Sequence, residues 1–163
     1  MQFAPLSAHD IIVGAGYRYL TDNEQGDNNT DFSPQRRHNS LYSAFVQDKI
    51  TLAEEAWFLI LGAKFEHNEF SGFEFQPNAR VQWHPAQNQT FWASVSRAVR
   101  TPTPLEEDVT STLVTAANVR AAFVPNDHFK SEKLTAYELG YRQQLSPAVS
   151  ADVAAFYNDY DSL

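Results

Sequence analysis

Phe73 to His84 reads "FEFQPNARVQWH", and it alternates without a break. Phe73, Phe75, Pro77, Ala79, Val81 and Trp83 fall on one side; Glu74, Gln76, Asn78, Arg80, Gln82 and His84 fall on the other. Period-2 sorting of this kind is the signature of an extended strand with one apolar and one polar face, and no helix satisfies it. The same rule governs His9 to Leu20, Leu41 to Thr51, Trp57 to Glu69, Phe91 to Arg100, Leu134 to Gln144 and Val149 to Tyr160. Ile11, Val13, Ala15, Tyr17 and Tyr19 oppose Gly14, Gly16 and Arg18; Tyr137, Leu139 and Tyr141 oppose Glu138, Gly140 and Arg142. The pattern predicts about seven strands of roughly 10 to 13 residues, where globular strands usually run about 5 to 6. Helix has one candidate, Thr110 to Ala122. Pro77 stands against the pattern, because a mid-strand proline removes a ladder donor.

The connections narrow the architecture. Leu52 to Ala56, Pro85 to Asn88 and Leu145 to Ala148 read as tight turns, while Thr21 to Ser40, His67 to Gly72 and Thr101 to Lys133 lie between them. Two of the latter are long and polar. Alternation of short and longer connections places all the tight turns at one end of an antiparallel meander, as in a transmembrane β-barrel. Trp57, Trp83 and Tyr141 sit at turn-proximal ends of the apolar face, where amphipathic rings suit a membrane interface. The polar faces carry Lys64, Glu66, Glu74, Arg80, Glu138 and Arg142. Two folds fit this all-β pattern: an up-and-down meander forming part of a large transmembrane barrel, with the charged face lining a lumen, or a soluble β-sandwich binding domain with that face in solvent. Strand length and loop asymmetry favour the barrel.

Composition excludes several classes. Hydrophobic residues make up 43% of the chain, too many for a disordered protein. Twelve Lys and Arg against 20 Asp and Glu give a net charge of −8, which argues against a nucleic-acid partner. There is no cysteine, hence no disulfide or thiolate metal site. No apolar run approaches the roughly 20 residues of a membrane helix. "MQFAPLSAHD" lacks the layout of a secretion signal, so Met1 is expected either to start a cytosolic protein or to precede a piece of something longer.

Three stretches, in order, resemble the β-barrel of TonB-dependent outer-membrane receptors. "FQPNARVQWHP" matches a strand proline before a W/Y-x-P turn, at Pro77, Trp83 and Pro85. "FWASVSRAVRTPTPLEED" matches aromatic-x-S-x-S-x-A/G-x-R-x-P, at Trp92, Ser94, Ser96, Ala98, Arg100 and Pro102. "SEKLTAYELGYRQQLSPAVSADVAAFYNDYDSL" matches E-x-x-x-x-Y-E-x-G at Glu132, Tyr137, Glu138 and Gly140, then F-Y-N/D at Phe156 to Asn158. "FVQDKI", Phe45 to Ile50, is a further typical piece. The resemblance spans about Leu41 to the end, with the first forty residues fitting loosely. It implies that residues 1–163 are roughly a third of a barrel of about 22 strands, with the plug, the TonB box and the terminal strands absent. It also implies active transport of a scarce metal chelate such as a ferric siderophore, or of a corrinoid. The partners implied are that ligand, the TonB complex through the missing plug, and outer-membrane lipid and lipopolysaccharide.

Under that resemblance, "FWASVSRAVR" rises from the turn side and "TPTPLEED" opens an extracellular loop stiffened at its base by prolines. The candidate ligand contacts are Arg100 and Trp92 at the lumen mouth, and Arg36, Arg37, Arg120 and His128 in the loops. Arg100 has a second reading, as partner to lumen or plug carboxylates. Arg97 falls on the opposite face, as a solvated rim charge or a contact to lipopolysaccharide phosphate. Other motifs fail. "GAGYRY" has Tyr19 where a dinucleotide fingerprint needs its third Gly. "DNNTDF" has Phe32 and His38 where a calcium loop needs Gly and Glu, so Asp22, Glu24, Asp27 and Asp31 are read as a solvated loop. The five histidines lack metal-ligand spacing, and there is no nucleophile elbow. The sequence therefore points to no enzyme, cofactor or metal site.

Overall fold

A computed structural model describes residues 1–4, 7–23, 30–32, 36–53, 56–69, 71–101, 109–114, 120–123 and 131–161. Eleven strands follow in chain order: β1 Gln2–Phe3, β2 His9–Asn23, β3 Thr30–Phe32, β4 Arg36–Ala53, β5 Trp57–Asn68, β6 Gly72–Ala86, β7 Gln89–Arg100, β8 Val109–Val114, β9 Arg120–Phe123, β10 Glu132–Ser146 and β11 Val149–Asp161. The seven strands expected from alternation are β2, β4, β5, β6, β7, β10 and β11. With the two-residue β1 they form one antiparallel sheet in the order β1-β2-β4-β5-β6-β7-β10-β11, so consecutive long strands are always neighbours. β5, β7 and β11 have the expected length at 12 or 13 residues, while β2, β6 and β10 run to 15 and β4 to 18.

The helix expected over Thr110 to Ala122 does not form. Val109–Val114 and Arg120–Phe123 are strands, paired to each other and, through β8, to β3 in a second, three-stranded sheet. Val109, Thr110, Thr112 and Val114 are β-branched, which favours extended backbone over a helical turn. This sheet ties together two long connections rooted on either side of the β5–β6 hairpin.

Tight connections at Ala86/Gln89 and Ser146/Val149 lie at one end, here the turn end. Residues 24–35 and 101–131 connect strands at the other, the loop end. The β5–β6 connection, also at the loop end, is as short as the turns. Asn68 accepts from the Ser71 amide at 2.8 Å through its side-chain oxygen, and Gly72 takes a φ of 72° that disfavours any side chain. The β2–β4 ladder continues past this turn, from Arg18↔Leu41 to Asn23↔Arg36, by about 20 Å at strand rise.

Pro77 fits because of where the ladder stops. It pairs with Ala63 on β5, while the β6–β7 ladder begins one residue later, at Asn78↔Ser96. The missing N–H therefore falls where β6 has already parted from β7, and Gly72 to Pro77 pair with β5 alone.

Register sorts the side chains. One face carries the row Trp57–Trp83–Phe91–Tyr141 and, two residues further along each strand, Leu59–Val81–Ala93–Leu139. Neighbouring rings in the first row lie 5.4, 5.4 and 4.4 Å apart. The row contains Trp57, Trp83 and Tyr141 as expected, with Phe91 closing it. Asp48 is an exception on this apolar face; His9, its diagonal neighbour, meets it at 2.7 Å. The opposite face carries the charged and amide side chains.

No apolar side chain among the described residues is buried; the buried side chains are those of Asn68, Glu74 and Ser131. Leu139 is 61% exposed and Val153 68%. A soluble sandwich would bury one face of each sheet as core. That alternative is overturned: the long strands make a single sheet, and among the described residues its apolar face is not buried.

An open sheet of this kind exposes apolar surface and the unpaired edge of β11. The 163-residue polypeptide expressed alone should therefore aggregate in water and stay dispersed in detergent. A soluble monomer with a cooperative melt in detergent-free buffer would refute this.

Candidate functional site

The polar face is the chemically rich one, and cross-strand register builds its centre. Arg80 on β6 lies opposite Ser94 on β7, which lies opposite Glu138 on β10. The Ser94 hydroxyl donates to Glu138 Oε2 at 3.2 Å, and Arg80 Nη2 approaches the same oxygen at 3.8 Å. The Arg80 guanidinium also lies 4.7 Å over the Trp92 ring. Arg80 and Glu138 are about 40% exposed (41% and 40%), so their pairing contributes at most about 1 kcal/mol. The stacking is worth about 0.5 to 1 kcal/mol. Neither dominates; together they fix the direction of the guanidinium.

Trp92 can lie flat here because its partner in register is Gly140. A Cβ on Gly140 would come within 2.2 Å of the indole, so only glycine leaves room for the ring. Around this centre Gln47, Ile60, Asn78, Arg80, Ser96 and Glu138 line a cavity of about 600 Å³.

Toward the loop end the charges continue in matched pairs. Lys64 meets Glu66 at 2.8 Å, and the Gln76 amide donates to Glu66 at 2.6 Å. The Ser131 hydroxyl donates to the buried Glu74 carboxylate at 2.5 Å, linking the start of β10 to β6 across the end of β7. Arg100 donates to Glu132, its register partner, at 2.7 Å. At the turn end Arg142 and Asp152 form a short pair. The result is a polar surface on which most of these charges face an opposite charge or a hydrogen-bond partner. Among the described residues no three metal-ligating side chains converge.

The candidate contacts do not form one cluster. Arg100 stands at the loop end of β7, whereas Trp92 is eight residues back on the same face, about 26 Å away at strand rise. Trp92 thus belongs to the Arg80 centre near the turn end and not to the mouth. Arg37 pairs with Asp22 in register on the polar face, and Arg36 with Asn23 on the opposite one. Arg120 opens β9 in the second sheet. His128 lies outside the described residues, as do Glu24, Asp27 and the Pro102 to Asp108 loop base. Sequence reading missed the Arg80–Ser94–Glu138 centre as a unit. Alternation put all three on the polar face, but their meeting depends on register across two hairpins, and a residue shift at either would have separated them.

Comparison with known proteins agrees with this geometry. A family model described as "TonB dependent receptor-like, beta-barrel" matches residues 2–163. No curated protein sequence matches the chain. Among solved structures, the siderophore receptor PirA from Acinetobacter baumannii is 19% identical, with a TM-score of 0.76 over 98% of this chain and 25% of that one. A mutant ferric enterobactin receptor, PfeA, from Pseudomonas aeruginosa, in complex with enterobactin, is 18% identical, with a TM-score of 0.80 over 93% of this chain and 24% of that one. PirA from Pseudomonas aeruginosa is 19% identical, with a TM-score of 0.76 over 98% and 30%. The chain thus spans about a quarter of the length of the first two structures.

Replacing Gly140 by Val should drive the Trp92 ring off β10 and break its stack with Arg80, at a cost of about 1 to 3 kcal/mol. In a Trp57→Phe, Trp83→Phe background, the remaining indole emission reports Trp92 directly. Unchanged emission and unchanged unfolding free energy would show that the close approach does not matter.

Proposed function

The chain belongs to the TonB-dependent receptor β-barrel family, and from that premise we propose that it forms a sector of an outer-membrane receptor importing a ferric siderophore or a related iron complex with energy delivered through TonB. Members of this family are outer-membrane β-barrels of Gram-negative bacteria and act as transport receptors. One observation supports the assignment of this sheet: no apolar side chain among the described residues is buried, and the face with the Trp57–Trp83–Phe91–Tyr141 row is apolar along most of its length. A face that no protein atom covers suits lipid. From Trp83 to Phe73 along β6 the outward positions are all apolar, a span of about 25 Å at a tilt near 40°, the height of an outer-membrane hydrocarbon band.

The polar face then lines the lumen, and the loop end faces outside the cell. In this reading Arg37 and Arg100 stand at the lumen mouth, positioned to meet an anionic chelate. Arg36 and Arg120 belong to the surrounding loop-end region, and Trp92 holds Arg80 deeper in the wall. Siderophore chemistry supports the choice of substrate: the receptors of like fold include ones crystallised with enterobactin.

The deciding experiment uses cells lacking the full gene, grown under iron limitation on defined ferric siderophores. Growth on at least one of them should require the gene and an intact TonB complex. Normal growth of the deletion strain on every iron complex tested would overturn the reading. A second measurement addresses the wall. Val81→Arg should destabilise the bilayer-inserted barrel by about 2 to 4 kcal/mol, whereas Gln82→Arg, on the lumen face, should be tolerated. The reverse order would exchange the two faces.

A further inference from the structure

One carboxylate stands among the outward ladder positions of β2, β4, β5 and β6, and it is Asp48. Its register partners are Ile11 and Leu61, and the outward neighbours along β4 are Val46 and Ile50. Leu61 lies four residues beyond Trp57, so Asp48 sits about 13 Å along the strands from the aromatic row, well inside an apolar band roughly 25 Å tall. His9 Nδ1 meets Asp48 Oδ2 at 2.7 Å, and the two side chains keep 30% and 23% exposure. A polar pair in an apolar band costs free energy unless its groups find partners. This one is incompletely matched: Asp48 Oδ1 is covered and has no hydrogen-bond partner among the described residues.

The chemistry of the pair says what would complete it. In an apolar medium a pair without net charge is favoured over a lone ion. The shared proton then sits on Nδ1 or on Oδ2. In both arrangements His9 presents Nε2–H as a donor and the Asp48 carboxyl group keeps acceptor sites to spare. One donor and one acceptor are left over, so the site is complementary to itself. A two-fold axis along the membrane normal, passing between β2 and β4, sets β2 of one copy against β4 of the other and matches His9 with Asp48 twice. The surface beside the pair is flat. The next outward rungs are Val13–Val46 and Ala15–Ala44, and no ring projects before Tyr17–Tyr42.

We propose that the outward face of β2 and β4 is where two copies of the receptor meet in the membrane, with His9 of each protomer donating through Nε2 to the Asp48 carboxyl group of its partner. The inference rests on the outward orientation proposed above and adds a partner to it. Acyl chains offer neither donor nor acceptor. A second copy offers both at the right depth, because the two-fold axis keeps each residue level with its counterpart.

The test uses the full-length receptor, carrying one dye per chain, in liposomes over a range of protein-to-lipid ratios, with copies counted by single-molecule photobleaching. Wild type should form dimers. The His9→Leu, Asp48→Leu double variant exchanges the pair for apolar side chains and should weaken dimerisation about tenfold. A wild type that stays monomeric at every ratio, or dimers equally tight in the double variant, would overturn the interface. Cross-linking reads the same contact with the pair intact, should the double variant misfold. In an otherwise cysteine-free receptor, a short bis-maleimide should join copies carrying Val46→Cys and leave copies carrying Val153→Cys, on the same face of β11, single. Equal yields at the two positions would also overturn it. Full reaction of Val46→Cys with a water-soluble maleimide would overturn the outward orientation and the interface together. Dimers of a receptor that supports growth on no iron complex would sink the transport reading alone.

Discussion

Everything in this protein hangs on unbroken antiparallel register. A ladder that keeps partners opposite each other over a dozen residues makes face a property of the sheet and not of the single strand. Trp57, Trp83, Phe91 and Tyr141 form a row because four strands agree on parity. Slip one hairpin by a single residue and the Trp row breaks, Arg80 turns toward lipid, and Glu138 loses Ser94. The hydrogen-bonded ladder is also the only internal adhesive of consequence, since no apolar side chain among the described residues is buried. The apolar phase that a globular protein builds for itself is missing among the described residues.

The polar face obeys a different economy. Its ions occur as local pairs, Lys64 with Glu66 along β5, and Arg100 with Glu132 and Arg142 with Asp152 across neighbouring strands. Such exposed pairs add little stability individually, but they leave no large unbalanced charge along the wall. Along that surface acidic and basic groups alternate instead of gathering at one point. Gly140 beneath Trp92 serves the same end, because it lets a bulky ring lie against the wall and carry Arg80 without projecting into the passage.

Strand number, order and face were legible in the sequence because alternation over ten or more residues has one physical solution. What escaped depended on distance in the chain. Thr110 to Ala122 looked helical in isolation; it becomes two strands because Thr30 to Phe32, some eighty residues earlier, offers β8 an edge to pair with. His67 to Gly72 read as one of the longer connections, yet the Asn68 side chain and the Gly72 backbone fold it into a turn. Arg100 and Trp92 share a face and a strand, and sequence placed both at the mouth; counting residues along β7 separates them by most of the membrane's thickness. The family resemblance had already singled out Pro77, but only the ladder shows why a proline is admissible there.

That proline has a mechanical meaning. Below Asn78 the wall is stitched strand to strand without interruption; above it β6 leans only on β5, and β7 only on β10. Among the described residues, a buried tie from Ser131 to Glu74 crosses the seam. The long connection between β7 and β10 therefore reaches the β5–β6 hairpin through that tie and the β2–β4 connection through the β3–β8 ladder, while no ladder bonds join the two sides of the seam itself. At that one stretch of the loop-end rim, side chains and not the backbone ladder set how far apart β6 and β7 stand.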